Sequence, residues 1–480
     1  MNLKNFFSFS LIFFVSEVIF ANQSRVLNLA QGFILSRLSF HGSLHVDADL
    51  SKSQKLEALG LHLKSVIGSL KDKKIALVDA SLDPKKYLKG DLEDLLDSKD
   101  EITTIDFFFD ELIVAPKKFE DHNSILIELI SGHNLQDHQT ALMACLPEFT
   151  VSLDLYWYYF QPSKQSCQEK ISQDDHLSYL DQERPLFYTY EAKLDHKNNP
   201  QDSETPLVKI MKTIGKRKII RIFLMTESEP IEFFDAQSAG LSFAIFLQKM
   251  LSEFPEMSQR FLNQEDDILF VDQSDLQVKA YDYWQLLSWI ITDSNYPEHL
   301  NKKQKAKLRR QAMLRISNKL IEWEFSLNIG GQMVSVDLRT YHGDLYPLSA
   351  NRSKVESLFA NAYQEGDIVM HTGHSYHGNG LFDLSKYPKS SLRDKFQVLF
   401  WNGCYSLGFY FQSFSEPKRN SDLHLIANSL PSCVEGSGES LALGLIALLS
   451  GQTYFEALAQ MDKVKTQSCF WNPGRVVLAQ

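Results

Sequence analysis

The chain has 480 residues, room for about three domains at roughly 150 residues each. Hydrophobic residues make up 44% and charged residues 23%, ordinary globular usage that excludes a disordered, collagenous or disulfide-dense chain. A formal net charge of −11 argues against nucleic acid or anionic lipid as a partner, because phosphate contacts need a basic face.

Residues 1–21 read as a secretory signal. Lys4 supplies a positive start, Phe6 to Phe20 is apolar, and Ala21 is a small residue at the cleavage point. Glu17 inside the apolar run and bulky Ile19 depart from the pattern, and a buried N-terminal helix is the alternative. The signal predicts an exported protein, and no cysteine follows closely enough for a lipid anchor. Beyond it the longest clean apolar run, Leu441 to Leu449, falls well short of the roughly 20 residues of a spanning helix, so no further transmembrane segment is expected.

Residues 22–200 read as a mixed α+β region of unknown role. Gly60 to Leu70 keeps a helical apolar rhythm, and Ile75 to Val78 reads as a short buried strand. Asp91 to Glu101 is an acid-rich surface, and Phe107 to Phe109 with Leu112 to Val114 form another strand region. Phe149 to Phe160, aromatic and β-branched, reads as a strand. Polar Glu191 to Glu204, centred on Lys197-Asn198-Asn199-Pro200, reads as a linker at a domain boundary.

The domain over 205–480 begins with a buried strand, Ile219 to Met225, then a helix over Ala239 to Leu251 and a short strand at Ile268 to Val271. Tyr281 to Ile291 is aromatic-rich core. Lys302 to Lys319 carries many basic residues and no acid; Leu308, Ala312, Ile316 and Leu320 recur every four residues, so it reads as a solvated helix with one buried stripe. A basic contact surface is the alternative. Strands follow at Val334 to Leu338, Ile368 to Met370, Phe396 to Trp401 and Leu423 to Ala427. Helices fall at Ser353 to Ala362, Ser440 to Leu449 and Thr453 to Met461. The alternation predicts an α/β domain with a mainly parallel sheet flanked by helices.

Five cysteines are present: Cys145, Cys167, Cys404, Cys433 and Cys469. In an exported protein an odd count leaves at least one without an intrachain partner. Cys145–Cys167 with Cys433–Cys469 is the local choice among the three pairings open to those four, Cys404 then being unpaired. Five reduced core thiols are the alternative.

Ligands of open α/β sheets bind beyond the carboxyl ends of the strands. Two segments lie there: His371-Thr372-Gly373-His374-Ser375-Tyr376-His377-Gly378-Asn379-Gly380, and Asn402-Gly403-Cys404-Tyr405-Ser406. An imidazole beside a thiol is the working pair of a cysteine nucleophile, since the thiolate is the reactive species. His371, at the strand end, reads as a structural histidine. The rival reading is a zinc shell of His371, His374, His377 and Cys404, although their three-residue spacing suits a helix better than a strand end and loop.

Gly373-His374-Ser375 and Gly403-Cys404-Tyr405-Ser406 resemble the sites of the caspase-like (clan CD) cysteine peptidases, most nearly separase and the CHAT-type domains. Gly451-Gln452-Thr453-Tyr454-Phe455-Glu456-Ala457-Leu458 resembles a stretch of CHAT domains. The resemblance covers about 330–480 and extends back to about 205. It implies a caspase-like domain that hydrolyses peptide bonds in protein or peptide substrates without a cofactor or metal. In it Cys404 is the nucleophile and His374 the base, with His377 the alternative base. The backbone N–H groups of Cys404 and Ser375 form the oxyanion hole. Ser375 departs from the glycine usual there. A non-catalytic binding domain on the same fold is the alternative function.

Overall fold

A computed structural model describes residues 26–90, 101–146, 160, 162, 165–197, 205–227, 234–261, 269–272, 277–280, 301–303, 305–306, 317–343, 345, 352–375, 380–388, 392, 395–415, 423–432, 434–464 and 475–479. The signal segment, the expected strand before Phe160, the aromatic run at Tyr281 and most of the basic helix lie outside them, as do Cys433 and Cys469. The chain forms two compact units, Gly32–Asn199 and a larger one of Met1–Gln31 with Pro200–Gln480. Strand β1 (Val26–Leu29) belongs to the larger unit.

The smaller unit contains β2 (Phe33–Asp47), α1 (Lys52–Asp72), β3 (Ala76–Leu77), β4 (Ile102–Pro116), β5 (Ser124–Ile130), α2 (Leu135–Ala144), α3 (Gln165–Gln173), α4 (Asp175–Glu183) and β6 (Phe187–His196). Its strands run in the order β3-β4-β2-β6-β5, every pairing antiparallel. The two runs at Phe107 and Leu112 are one strand, because both pair with β2 in a single register. β6 extends into the segment expected to be linker, where buried Ala192 and Leu194 alternate with exposed Glu191 and Lys193. Helix α1 opens on a capping box between Ser51 and Gln54 and buries Ala58, Leu59, Leu63, Val66 and Leu70. Its Ser69 and Ser65 hydroxyls accept the N–H groups of Glu128 and Ile130, which closes the outer edge of β5. Cys145 and Cys167 form a disulfide.

The larger unit continues with α5 (Pro206–Ile214), β7 (Ile219–Glu227), α6 (Phe234–Glu253), β8 (Ser258–Phe261), β9 (Leu269–Asp272), β10 (Gln277–Ala280), β11 (Lys319–Ile329) and β12 (Gln332–Gly343). Then come α7 (Arg352–Glu365), β13 (Ile368–Thr372), β14 (Gln397–Asn402), α8 (Ser406–Ser415), β15 (Leu423–Asn428), α9 (Val434–Leu449), α10 (Tyr454–Met461) and β16 (Arg475–Ala479). Strands β9 and β10 form a separate antiparallel pair. The others build a nine-stranded sheet in the order β1-β16-β15-β14-β13-β7-β12-β11-β8.

That sheet corrects the expectation of a mainly parallel one. The pairings β12–β7, β7–β13, β13–β14 and β14–β15 are parallel, but β1–β16, β16–β15, β12–β11 and β11–β8 are antiparallel. With a wholly antiparallel sheet in the smaller unit, the molecule is mixed α/β. Apolar runs report that a strand is buried on both faces, not the direction of its neighbour. The β11–β12 hairpin turns at Gly330-Gly331, both at positive φ, and a two-residue turn of this kind imposes antiparallel pairing.

On one face, Ile222, Leu224, Met370, Val398 and Phe400 pack in a core with Phe243, Phe246 and Leu247 of α6 and Leu441, Leu445 and Leu448 of α9. Helices α6 and α9 approach closely at Gly438, where a Cβ would collide with the Ser242 carbonyl. Among the described residues no helix is long and apolar enough to cross a membrane.

Candidate functional site

Strands β13 and β14 are parallel neighbours, with Met370 opposite Phe400 and Thr372 opposite Asn402. Their following loops therefore emerge at one edge of the sheet, where backbone groups no longer pair across the ladder. β7 ends at the same edge, with Thr226 opposite Thr372. Between these ends lies a cleft of about 540 Å3, counted with its open mouth. It is lined by Thr226 and Glu227 of β7, Ser242 of α6, Thr372 at the end of β13 with Gly373 and His374 after it, Asn402 at the end of β14 with Cys404 after it, and Ser432 and Ser437. His374 and Cys404, the two residues singled out by sequence, thus share one cleft.

The strand ends are tied together by amides. Asn428 Nδ2 donates to Asn402 Oδ1 at 2.9 Å and to the Gly403 carbonyl at 3.2 Å. Asn402 Nδ2 donates to Thr372 Oγ1 at 3.2 Å. Such buried amides hold the two loops at a constant spacing. After Cys404 the chain turns sharply into α8: Tyr405 sits at φ 52°, unusual for a side chain with a Cβ, and its N–H donates to the Leu430 carbonyl at 3.2 Å.

Cys404 is half-buried and forms no disulfide. Its thiol donates to the Ser432 carbonyl at 3.5 Å and lies 3.9 Å from the Ser432 hydroxyl. Burial pushes the thiol pKa up, against the pull of Ser432 and of its own backbone N–H. The resting sulfur is therefore a thiol at neutral pH, and a base must take its proton before it can attack.

His374 is exposed at the cleft, and its backbone N–H donates to Glu227 Oε2 at 2.7 Å. Ser375, where the resembled family has glycine, is buried and bridges the loops: its hydroxyl donates to the Cys404 carbonyl at 2.5 Å. Its own carbonyl accepts the Tyr410 hydroxyl. Among the described residues the N–H groups of Ser375 and Cys404 donate to no other residue. The Ser375 nitrogen lies 3.3 Å from the place a Cβ would occupy on Gly403, so the two loops nearly touch here.

His371 is in the core rather than the cleft. Its ring stacks on Phe382 with centroids 3.9 Å apart, and the Met225 and His374 backbones lie beside it. Burial pushes its pKa down to about 3, which keeps the ring neutral. His377 lies outside the described residues. Among the described residues no three His, Cys, Asp or Glu side chains gather as a metal site.

Sequence reasoning missed Glu227, Ser432, Ser437, Ser242 and Asn428. Glu227 carried a usable signal: it comes two residues after the apolar run Ile219 to Met225, so the strand-end rule applied there as well. The serines carried none, because they reach the cleft only through the packing of α6, α9 and the β15 loop. No protein-family model, curated protein or solved structure matches the chain.

Proposed function

We propose that the protein is an exported cysteine peptidase in which Cys404 and His374 cleave peptide bonds. The observation that carries this reading is the shared cleft at the carboxyl ends of adjacent parallel strands. His374 takes the thiol proton, and Cys404 Sγ attacks the carbonyl carbon. The N–H groups of Cys404 and Ser375 receive the developing negative charge. His374 then protonates the leaving amine, and water, deprotonated by His374, releases the acyl group from sulfur. The likeness of both loops to the sites of caspase-like peptidases, separase and CHAT-type domains supports the same roles. The segment Phe6 to Phe20 supports export.

A second reading, a binding cleft without catalysis, is favoured by the raised Cys404 pKa and by the thiol's hydrogen bond to the Ser432 carbonyl. The two are separated by incubating a mixed peptide library with wild type, Cys404→Ala, His374→Ala and the double variant, with thermal melts alongside. A peptidase loses hydrolysis in all three variants without loss of fold, and the double variant is little worse than either single one, since residues acting as a unit are non-additive. Equal cleavage by all four proteins, or none by wild type, rejects peptidase chemistry.

A further inference from the structure

The cleft holds one carboxylate that the proposed chemistry does not use. Glu227 is the last residue of β7 and only 5% exposed. The parallel register that sets Thr226 against Thr372 brings it beside Gly373. A Cβ on Gly373 would stand 2.5 Å from Glu227 Oε2 and 2.6 Å from the Glu227 Cβ, so glycine is what permits this approach. The Glu227 oxygen accepts the His374 N–H at 2.7 Å, a bond to the backbone of the residue that carries the imidazole. On the far side of His374, Ser375 is fixed through its hydroxyl to the Cys404 carbonyl at 2.5 Å. His374 is thus held at its own N–H by β7 and through its neighbour by the β14 loop, while its side chain stays exposed at the cleft.

We infer that Glu227 is the positioning residue for His374: its carboxylate fixes the His374 backbone so that the imidazole is presented to the Cys404 thiol. The inference rests on the Cys404–His374 reading above. It gives Glu227 no contact with substrate. Its contribution is to restrict where the imidazole can stand, and small misplacements of a reacting group carry large kinetic penalties.

The test follows the rate at which iodoacetamide alkylates Cys404 in the full-length protein, read by mass spectrometry on the Cys404 peptide from about pH 5 to about pH 9, the range spanning ordinary His and Cys titrations. His374→Ala is expected to move the alkylation profile to higher pH, toward that of an unassisted buried thiol. Glu227→Ala is expected to move it the same way and to slow alkylation near neutrality by about tenfold or more. Glu227→Gln keeps an acceptor oxygen at the same reach and is expected to recover most of that loss. Should Glu227→Ala fail to fold, Glu227→Asp, which draws the oxygen back by one methylene, takes its place with the same expected shift. If His374→Ala shifts the profile but removing the Glu227 acceptor does not, or if Glu227→Gln is as slow as Glu227→Ala, the positioning role is overturned and the Cys404–His374 pair stands. If His374→Ala leaves the profile unchanged, or the wild-type thiol does not react, the pair falls and the inference falls with it.

Discussion

His371 and His374 stand three residues apart and meet opposite environments. His371 still belongs to β13, and its ring is buried against Phe382; His374 has left the ladder and is exposed. The buried ring titrates near 3, against about 6.5 in an unfolded chain. Between those two values the unfolded state binds a proton that the folded state does not. Stability therefore falls as pH is lowered through about 6.5 toward about 3. His371→Phe removes the titrating group and keeps an aromatic ring beside Phe382. The variant is expected to gain about 2–3 kcal/mol relative to wild type between pH 7 and about pH 4.5, whatever its offset at neutrality. Urea unfolding of both proteins at the two pH values measures this, and parallel pH slopes would refute it.

At the scale of elements, the disulfide joins the end of α2, where Cys145 is the C-cap, to Cys167 of α3. Both sulfurs lie in a small core with Phe160, Ile171, Leu177 and Leu180, which meets the five-stranded sheet at Ile130, the end of β5, and Phe187, the start of β6. Closing a 22-residue separation restricts the unfolded chain by about 3 kcal/mol in the chain-entropy view. Replacing both cysteines by serine is expected to destabilise helices α2 to α4 by about that amount. Amide exchange should quicken over Leu135–Ala144 and Gln165–Glu183 much more than over β2 and β4. A uniform change over the smaller unit would mean that this corner unfolds only with the sheet. The long strands of the sheet have their own support, because β2 and β4 pair along fifteen residues each.

Across the whole molecule, one unit is interrupted by the other. The chain contributes β1 to the larger unit, builds the smaller unit over Gly32–Asn199, and returns at Pro200. β1 pairs with β16, and Ala30 N–H donates to the Arg475 carbonyl at 2.8 Å, so the start of the described chain and its last strand form one edge of the nine-stranded sheet. Arg475, buried, pairs with Asp462 and donates to Ser440 Oγ at 2.9 Å, tying that edge to α9 and α10. Leu29→Asp places a charge at a position only 8% exposed in β1. The larger unit is expected to lose about 2 kcal/mol or more, with faster amide exchange in β15 and β16 and none gained in β2 to β6, although those strands are nearer in sequence. Faster exchange in β2 to β6 instead would contradict the assignment of β1 to the larger unit.

The sequence by itself determined where the chain is buried and where it turns. The runs at Ile219, Ile368, Phe396 and Leu423 are strands because each is short and mostly apolar, and α1, α6, α7 and α9 follow from their apolar rhythm. It also determined which loops carry a thiol and an imidazole, because Cys404 and His374 come within four residues after such runs. Only the tertiary structure decided which strands are neighbours and in which direction. A buried strand shows the same apolar run whether its partner is parallel or antiparallel, so β8, β16 and β1 became visible as antiparallel flanks only through their hydrogen bonds. The same holds for the site: Glu227 lies 147 positions before His374, and register alone, with Thr226 set against Thr372, brings its carboxylate to the histidine's backbone. Local pattern encodes how much water a residue must avoid; the identity of the group that replaces that water is set by pairing over long separations.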